Sequence, residues 1–282
     1  MIFNIKNCKF ENATADAGKL SICGSDGDYT WAELQLRSQY FIQQFQTLKI
    51  PTGHPILIYG YKQKDFIAAI TACMQLHLPY IPLDTVVPFE RIQKIKNITG
   101  AQVLVNLSGN DLAINFAAII TQNEINNFSE VNFTDAIYHR EHDPIIYIIF
   151  TSGSTGEPKG VQITLQALTS YMDWMEHDFG FEADDVFVNQ APFSFDLSVY
   201  ELMAFLHFGA TIILNDNAVA ADQLAFVERV KRYGGSIWVS TPSFAYKFLG
   251  VEEFNSSNIP SLRIFFILWR NFTSSNFKNI VG

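Results

Sequence analysis

Cysteine is scarce in this chain: three residues in 282, Cys8, Cys23 and Cys73, far apart and without a C-x-x-C pair or a Cys/His ligand spacing. That argues against a disulfide framework and a structural zinc site, and the three read as free thiols of a reducing compartment. Positive charge is also short. Lys and Arg number 19 against 28 Asp and Glu, a formal charge of −9, so neither nucleic acid nor an anionic membrane surface is an expected partner. No long uninterrupted apolar run is present; the stretch from Phe66 to Leu83 is broken by Gln75, His77 and prolines, so no membrane insertion is expected. The start lacks a basic segment followed by an apolar one, which points to the cytoplasm. His54, His77, His139, His142, His177 and His207 show neither a paired carboxylate nor metal spacing, and they read as surface or satisfied core residues. G-x-S-x-G is absent, which removes a hydrolase nucleophile elbow.

What the chain does have is apolar material, 48% of its residues, in short β-rich runs alternating with helix-period segments. Thr30-Trp-Ala-Glu33 is a capping box: hydroxyl and carboxylate each satisfy a free backbone N–H. The helix it opens carries Leu34, Tyr40, Phe41, Phe45 and Leu48 near helical spacing. Strands are expected at Ile56–Tyr59, Tyr80–Leu83, Val103–Val105, Ile145–Phe150, Val186–Val188, Thr211–Leu214 and Ile237–Val239. Helices are expected from Asp65 to Leu76, between Pro88 and Gly100 with Phe89, Ile92 and Ile95 on one face, from Thr164 to Asp178, from Leu197 to Phe208, and from Ala221 to Tyr233 ending at Gly234. This alternation predicts an α/β architecture of layered, largely parallel sheets. The polar stretch from 106 to 143 is the candidate join between two subdomains.

The most informative segment runs from Thr151 to Gly160. A buried strand delivers a loop holding Gly153, Gly156 and Gly160 with Thr151, Ser152, Ser154, Thr155 and Lys159. Backbone N–H groups free of side-chain obstruction, several hydroxyls and one cation suit a polyphosphate. It is neither the G-x-x-x-x-G-K-[ST] P-loop nor the dinucleotide G-x-G-x-x-G. The bland alternative is a flexible turn between strand and helix.

Thr-Ser-Gly-Ser-Thr-Gly-x-Pro-Lys-Gly resembles the phosphate-loop signature of the AMP-forming adenylate synthetases, the superfamily of acyl-CoA synthetases, luciferase and peptide-synthetase adenylation domains. Three further segments resemble its motifs in family order: Tyr29 to Leu34, Leu78 to Asp84 with Glu90-Arg91, and Phe195 to Ser198. Gln190 to Val199, Thr164 to Met175 and Ile237 to Ala245 are most similar to the ligases that load D-alanine onto a D-alanyl carrier protein. The resemblance implies the layered αβ sheets of the large N-terminal domain of an adenylate-forming enzyme. It also implies a reaction using ATP and Mg²⁺: D-alanine is activated as D-alanyl-AMP and passed to the phosphopantetheine thiol of the carrier protein, for D-alanylation of teichoic acids. An adenylation domain for another amino acid, in a peptide synthetase, is the enzymatic alternative.

By the same resemblance, the loop hydroxyls and amides face the β- and γ-phosphates, with Thr151 and Ser152 first and Thr155 next. Lys159 either approaches phosphate or stays solvated. Asp196 pairs with the substrate ammonium in a partly buried contact, or is simply a helix N-terminal residue favoured by the macrodipole. Phe195, Trp238 and Phe244 either wall the pocket or belong to the core. The likeness covers about residues 10 to 265, so the expected organisation is residues 1–265 as the N-terminal part of the AMP-binding domain. Residues 266–282 then form a non-family tail of the kind a frameshift generates, replacing the family continuation Phe-Cys-Gly-Glu. The family's adenine-binding Tyr-Gly-Pro-Thr-Glu, ribose-binding Asp and C-terminal Lys are not in this sequence. A truncated, inactive remnant is therefore the non-catalytic alternative.

Overall fold

The computed structural model describes residues 2–11, 17–128, 143–152 and 157–267. A small hairpin, β1 (Ile2–Asn4) and β2 (Lys9–Glu11), starts the chain. A second hairpin follows, β3 (Leu20–Gly24) and β4 (Gly27–Thr30). Thr30 then opens α1 (Trp31–Thr47) with the expected capping box: Thr30 Oγ1 accepts from Glu33 N at 3.2 Å, and Glu33 Oε2 accepts from Thr30 N at 2.7 Å. Thr30→Ala is expected to lower stability by about 1 kcal/mol, read as a lower urea midpoint at unchanged slope.

Next come β5 (Ile56–Gly60), α2 (Lys64–Gln75), β6 (Tyr80–Asp84), α3 (Phe89–Thr99) and β7 (Val103–Asn106). Gly100 ends α3 at φ 69°, a left-handed position that only glycine occupies without strain. The polar stretch then yields β8 (Ala118–Thr121) and α4 (Gln122–Asn126). After it come β9 (Ile145–Ser152), β10 (Pro158–Thr164), α5 (Leu165–Asp178), β11 (Val186–Asn189), α6 (Leu197–Phe208) and β12 (Thr211–Leu214). The described chain ends with α7 (Asn217–Ala221), α8 (Gln223–Tyr233), β13 (Ile237–Ser240), α9 (Pro242–Ala245) and β14 (Ile264–Ile267).

Among the described residues, two six-stranded sheets result. The first has the order β10-β9-β6-β5-β7-β8, parallel except for the β9/β10 pair; the second has the order β14-β13-β11-β12-β3-β4, parallel except for the β3/β4 pair. Strands on either side of residues 106 to 143 thus share one sheet, and β8 from within that stretch pairs with β7. The stretch does not join two subdomains.

Alternation along each strand builds the layers. Ile56, Ile58, Phe187, Ile212 and Ile237 point into one central core with α1, α2, α5 and α6. Leu57, Ile81 and Leu104 face the other way, onto Ile92 and Ile95 of α3. Val188, Ile213 and Trp238 face Phe226, Val227 and Val230 of α8. The order is helix, sheet, helix, sheet, helix, which is the layered α/β class expected. Because α2 lies between both sheets, its residues from Asp65 to Met74 are all buried, more than one apolar face would require.

Several local expectations change. Leu48 is the 40% exposed C-cap of α1, and Phe89 is 38% exposed. The helix expected from Ala221 to Tyr233 starts at Gln223, since Asp222 leaves helical geometry (φ −108°, ψ 105°) and its carboxylate caps α8 through Ala225 N at 3.1 Å, while Ala221 ends the separate α7. Phe266 and Ile267, placed by the sequence in a non-family tail, extend β14 beside β13, and the Phe266 ring meets Phe179 at 5.4 Å. Residues 268–282 of that tail lie outside the described residues.

Candidate active site

In parallel sheets, ligands gather where the strands end at their carboxyl side. Here those ends are Gly60, Asp84 and Ser152 in the first sheet and Asn189, Leu214 and Ser240 in the second. Two cavities open beside them. One of about 700 Å³ is lined by Pro82, Leu83, Val86 and Arg91, by Tyr147, Phe150 and Thr151, and by Ser194, Phe195 and Asp196. The other, about 410 Å³, is lined by Gln190, Pro192, Phe195, Asp196, Thr241, Ser243, Phe244 and Lys247. Segments far apart in the chain therefore meet: the strand β6 motif with Arg91, the end of β9, the start of α6, and the turn after β13.

The phosphate-loop candidates fall into three groups. Thr151 is exposed at the end of β9 and faces the larger cavity. Ser152 is the last residue of β9. Gly153, Ser154, Thr155 and Gly156 lie outside the described residues. Lys159 pairs with Thr151 and Gly160 with Phe150, because β10 returns antiparallel along β9. The segment is therefore a strand-to-strand hairpin, and the strand-to-helix turn is corrected. Gly160 has a packing reason: a Cβ there would sit 2.8 Å from Ile148 Cγ2 and 3.0 Å from the Phe150 ring. Lys159, opposite Thr151, keeps an exposed side chain.

Asp196 occupies the N-cap position of α6, but its carboxylate makes no capping bond. It is exposed and borders both cavities, so the partly buried setting expected for it is not what the described residues provide. Nearby negative charge from Asp196, after burial itself, pushes the Tyr147 phenol up to about 12. Phe195, 61% exposed, and Phe244 stand at the cavity walls. Trp238 does not: it is 1% exposed and stacked on Phe265 at 4.6 Å in the outer core under α8.

Sequence reasoning missed a buried polar cluster behind this wall. Lys62, in the turn after β5, is 4% exposed, and its ammonium donates to Asn189 Oδ1 and to the Ala191 carbonyl. Asn189 Nδ2 donates to Glu201 Oε2 at 2.6 Å, and Glu201 is fully buried in α6. Burial lowers the Lys62 ammonium to about 7 and raises the Glu201 carboxyl to about 8, each partly opposed by the charge of the other. No spacing rule joins residues this remote. A lysine two residues beyond the buried strand Ile56–Gly60 is the one local hint.

Two histidines also differ from expectation, since they do have carboxylate neighbours. His207 Nε2 lies 2.6 Å from Glu176 Oε1 and His177 Nδ1 lies 2.6 Å from Asp178 Oδ1. Glu176 also takes Lys6 at 3.0 Å, so this group ties the first hairpin to α5 and α6, away from the cavities. His139 and His142 lie outside the described residues. Among the described residues, no group of three or more His, Cys, Asp or Glu side chains gathers to hold a metal ion, and no helix is long and apolar enough to cross a membrane.

Comparison with known proteins follows the same lines. The AMP-binding enzyme family matches residues 9–272. A D-alanine--D-alanyl carrier protein ligase of Bacillus licheniformis is 35% identical over 248 residues, covering 87% of this chain and 49% of the relative. The ligase of the same name from Bacillus cytotoxicus is 34% identical over 259 residues, 90% of this chain and 51% of the relative. The chain thus spans about half the length of these curated relatives. Among solved structures, CmiS6 superposes with a TM-score of 0.81 at 18% identity, covering 98% of this chain and 68% of that one. VinN in complex with L-aspartate does so at 0.80 and 16% identity, covering 99% and 72%. These two likenesses concern the fold alone.

Proposed function

This chain belongs to the AMP-binding enzyme family, and from that premise we propose that its site takes ATP and D-alanine for an AMP-forming ligase reaction. A D-alanine carboxylate oxygen attacks the α-phosphorus of ATP, the bond to pyrophosphate breaks, and D-alanyl-AMP forms. A phosphopantetheine thiolate of a D-alanyl carrier protein then attacks the acyl carbon and AMP leaves, which supplies D-alanine for teichoic acids. The observation that carries this reading is that Thr151 and Asp196, 45 positions apart in sequence, line one cavity of about 700 Å³. The D-alanine ligases of Bacillus among its relatives support the choice of amino acid.

Transfer of this kind depends mainly on position and charge. Thr151 and Ser152, with Gly153, Ser154, Thr155, Gly156, Lys159 and Gly160, are assigned to the β- and γ-phosphates. The Thr151 hydroxyl and the Lys159 ammonium flank the same hairpin, so one donates to phosphate oxygen while the other offsets its charge. Asp196 is assigned to the substrate ammonium, and Phe195 and Phe244 limit the room beside it. Mg²⁺, when bound, would offset the charge of the phosphate oxygens.

Titration of the chain with D-alanine, L-alanine and propionate, with and without ATP, tests the assignment. D-alanine is expected to saturate and propionate, which lacks the ammonium, is not. Asp196→Ala is expected to weaken D-alanine about tenfold while ATP affinity stays, as suits an exposed charge-assisted contact. Equal binding of propionate and D-alanine would remove Asp196 from its role. Preference for another amino acid would move the chain to the peptide-synthetase reading, and silence from a folded chain to the non-catalytic one.

A further inference from the structure

Lys62 touches the chain at Asn189, Ala191 and Phe193: it donates to Asn189 Oδ1 and to the Ala191 carbonyl, and its ammonium lies 4.1 Å from the Phe193 ring centroid. A side-chain oxygen, a backbone carbonyl and a ring of the segment that runs from the end of β11 towards α6 thus converge on one ammonium. Gln190, Ala191 and Pro192 of the same segment line the 410 Å³ cavity. We propose that Lys62 is a positioning residue: it clamps the inner face of residues 189–193 and thereby sets where Phe195 and Asp196 stand at the cavity. The clamp crosses the molecule, from the β5 turn of the first sheet to the β11 end of the second, over 127 positions of sequence. This deepens, and for its bearing on D-alanine rests on, the pocket reading above.

The segment needs such a clamp. Beyond Asn189 it leaves the β ladder; Phe195 N to Pro192 O at 2.9 Å, with Ser198 N and Ser198 Oγ donating to Phe195 O at 3.1 and 2.7 Å, ties its far end to the start of α6, and Lys62 holds its near end. The clamp itself is held from behind. Asn189 gives its Nδ2 to Glu201 at 2.6 Å, and its carbonyl accepts from Asn215 N at 3.0 Å and Asn215 Nδ2 at 3.2 Å. Phe193 in turn packs on Phe66 of α2 at 5.0 Å. A buried ammonium is costly unless its donors are used, and here two carbonyl-type oxygens and a ring face receive it.

Amide hydrogen exchange on the ligand-free chain tests the clamp without calling on the pocket reading. In Lys62→Met, exchange across residues 190–197 is expected to rise about tenfold, with α5 and β12 unchanged. Phe193→Leu, a milder change, should raise exchange about threefold in the same segment, and it decides the matter alone if Lys62→Met does not fold. Unchanged exchange in 190–197, or a rise spread evenly over the chain, would overturn the proposal, because that is how a general structural lysine behaves. D-alanine affinity measured in parallel is expected to fall in step with the loosening while ATP affinity holds. A segment that loosens in a chain that never binds D-alanine leaves the clamp standing and sinks the pocket reading instead.

Discussion

Trp238→Ala is expected to destabilise the chain by about 3–5 kcal/mol, the cost of emptying a large, fully packed aromatic site. The indole faces α8 from β13, stacked on Phe265 at 4.6 Å and packed against Phe226 at 5.0 Å and Phe248 at 5.2 Å. Its neighbours come from three separate segments, so the cavity left behind cannot close by moving any one of them. The expected readout is a large fall in melting temperature and in the urea midpoint, with lost near-ultraviolet ellipticity. Selectivity among amino acids should not change in whatever fraction stays folded. A chain that kept its melting temperature and altered its amino-acid preference would restore Trp238 to the pocket wall that the sequence left open for it.

Glu201→Gln is expected to stabilise the chain relative to the parent, by an amount that grows between pH 5 and pH 8. Burial is the leading cause of the raised carboxyl, about 8 against an ordinary 4.5, with the Asn189 hydrogen bond and the Lys62 charge working the other way. Between those two values the folded chain keeps a proton that the unfolded chain has released. The stability contribution is thus complete below about 4.5 and is lost as pH rises through 8. At about 1.4 kcal/mol per unit this amounts to a few kcal/mol for a fully buried group. Glutamine accepts the same bond from Asn189 Nδ2 without a charge to lose. Lys62 has the opposite sign: lowered to about 7 from 10.5, it adds stability as pH climbs from about 7 to 10.5, and removing the Glu201 charge lowers it further in the variant. Melting temperatures of the two chains across pH 5 to 9 check this, and parallel curves would show that the fold does not raise the Glu201 carboxyl.

Much of the fold was legible because its cues are local. The Thr30 capping box, the Pro88 and Gly100 bracket around α3, and the Leu197–Phe208 helix each depend on residues within a few positions of one another. The strands missed were edge and hairpin strands, β1 to β4, β8, β10 and β14, and the short helices α4, α7 and α9 were missed with them. Most of these strands are short or only partly apolar, and their ladder partners are what make them strands; β14, Ile264–Ile267, is apolar throughout but overlaps the stretch placed in a non-family tail. The return of β10 along β9 belongs to this group: Lys159 and Gly160 looked like loop residues because nothing near them in sequence shows the pairing with Thr151 and Phe150.

By itself, then, the amino-acid sequence determined the helix and strand rhythm, the layered α/β class and the chemistry-bearing residue types at Thr151 to Gly160 and at Asp196. Local backbone propensity and side-chain periodicity carry that much. Tertiary structure alone decided that Arg91, Thr151 and Asp196 share a cavity, that Trp238 turns to the outer core, and that Lys62 reaches Asn189 and Glu201. Each of these rests on contacts between segments tens to more than a hundred residues apart. Which face of a strand is buried, and what a buried charge meets, exist only once the two sheets and the helices between them have packed together.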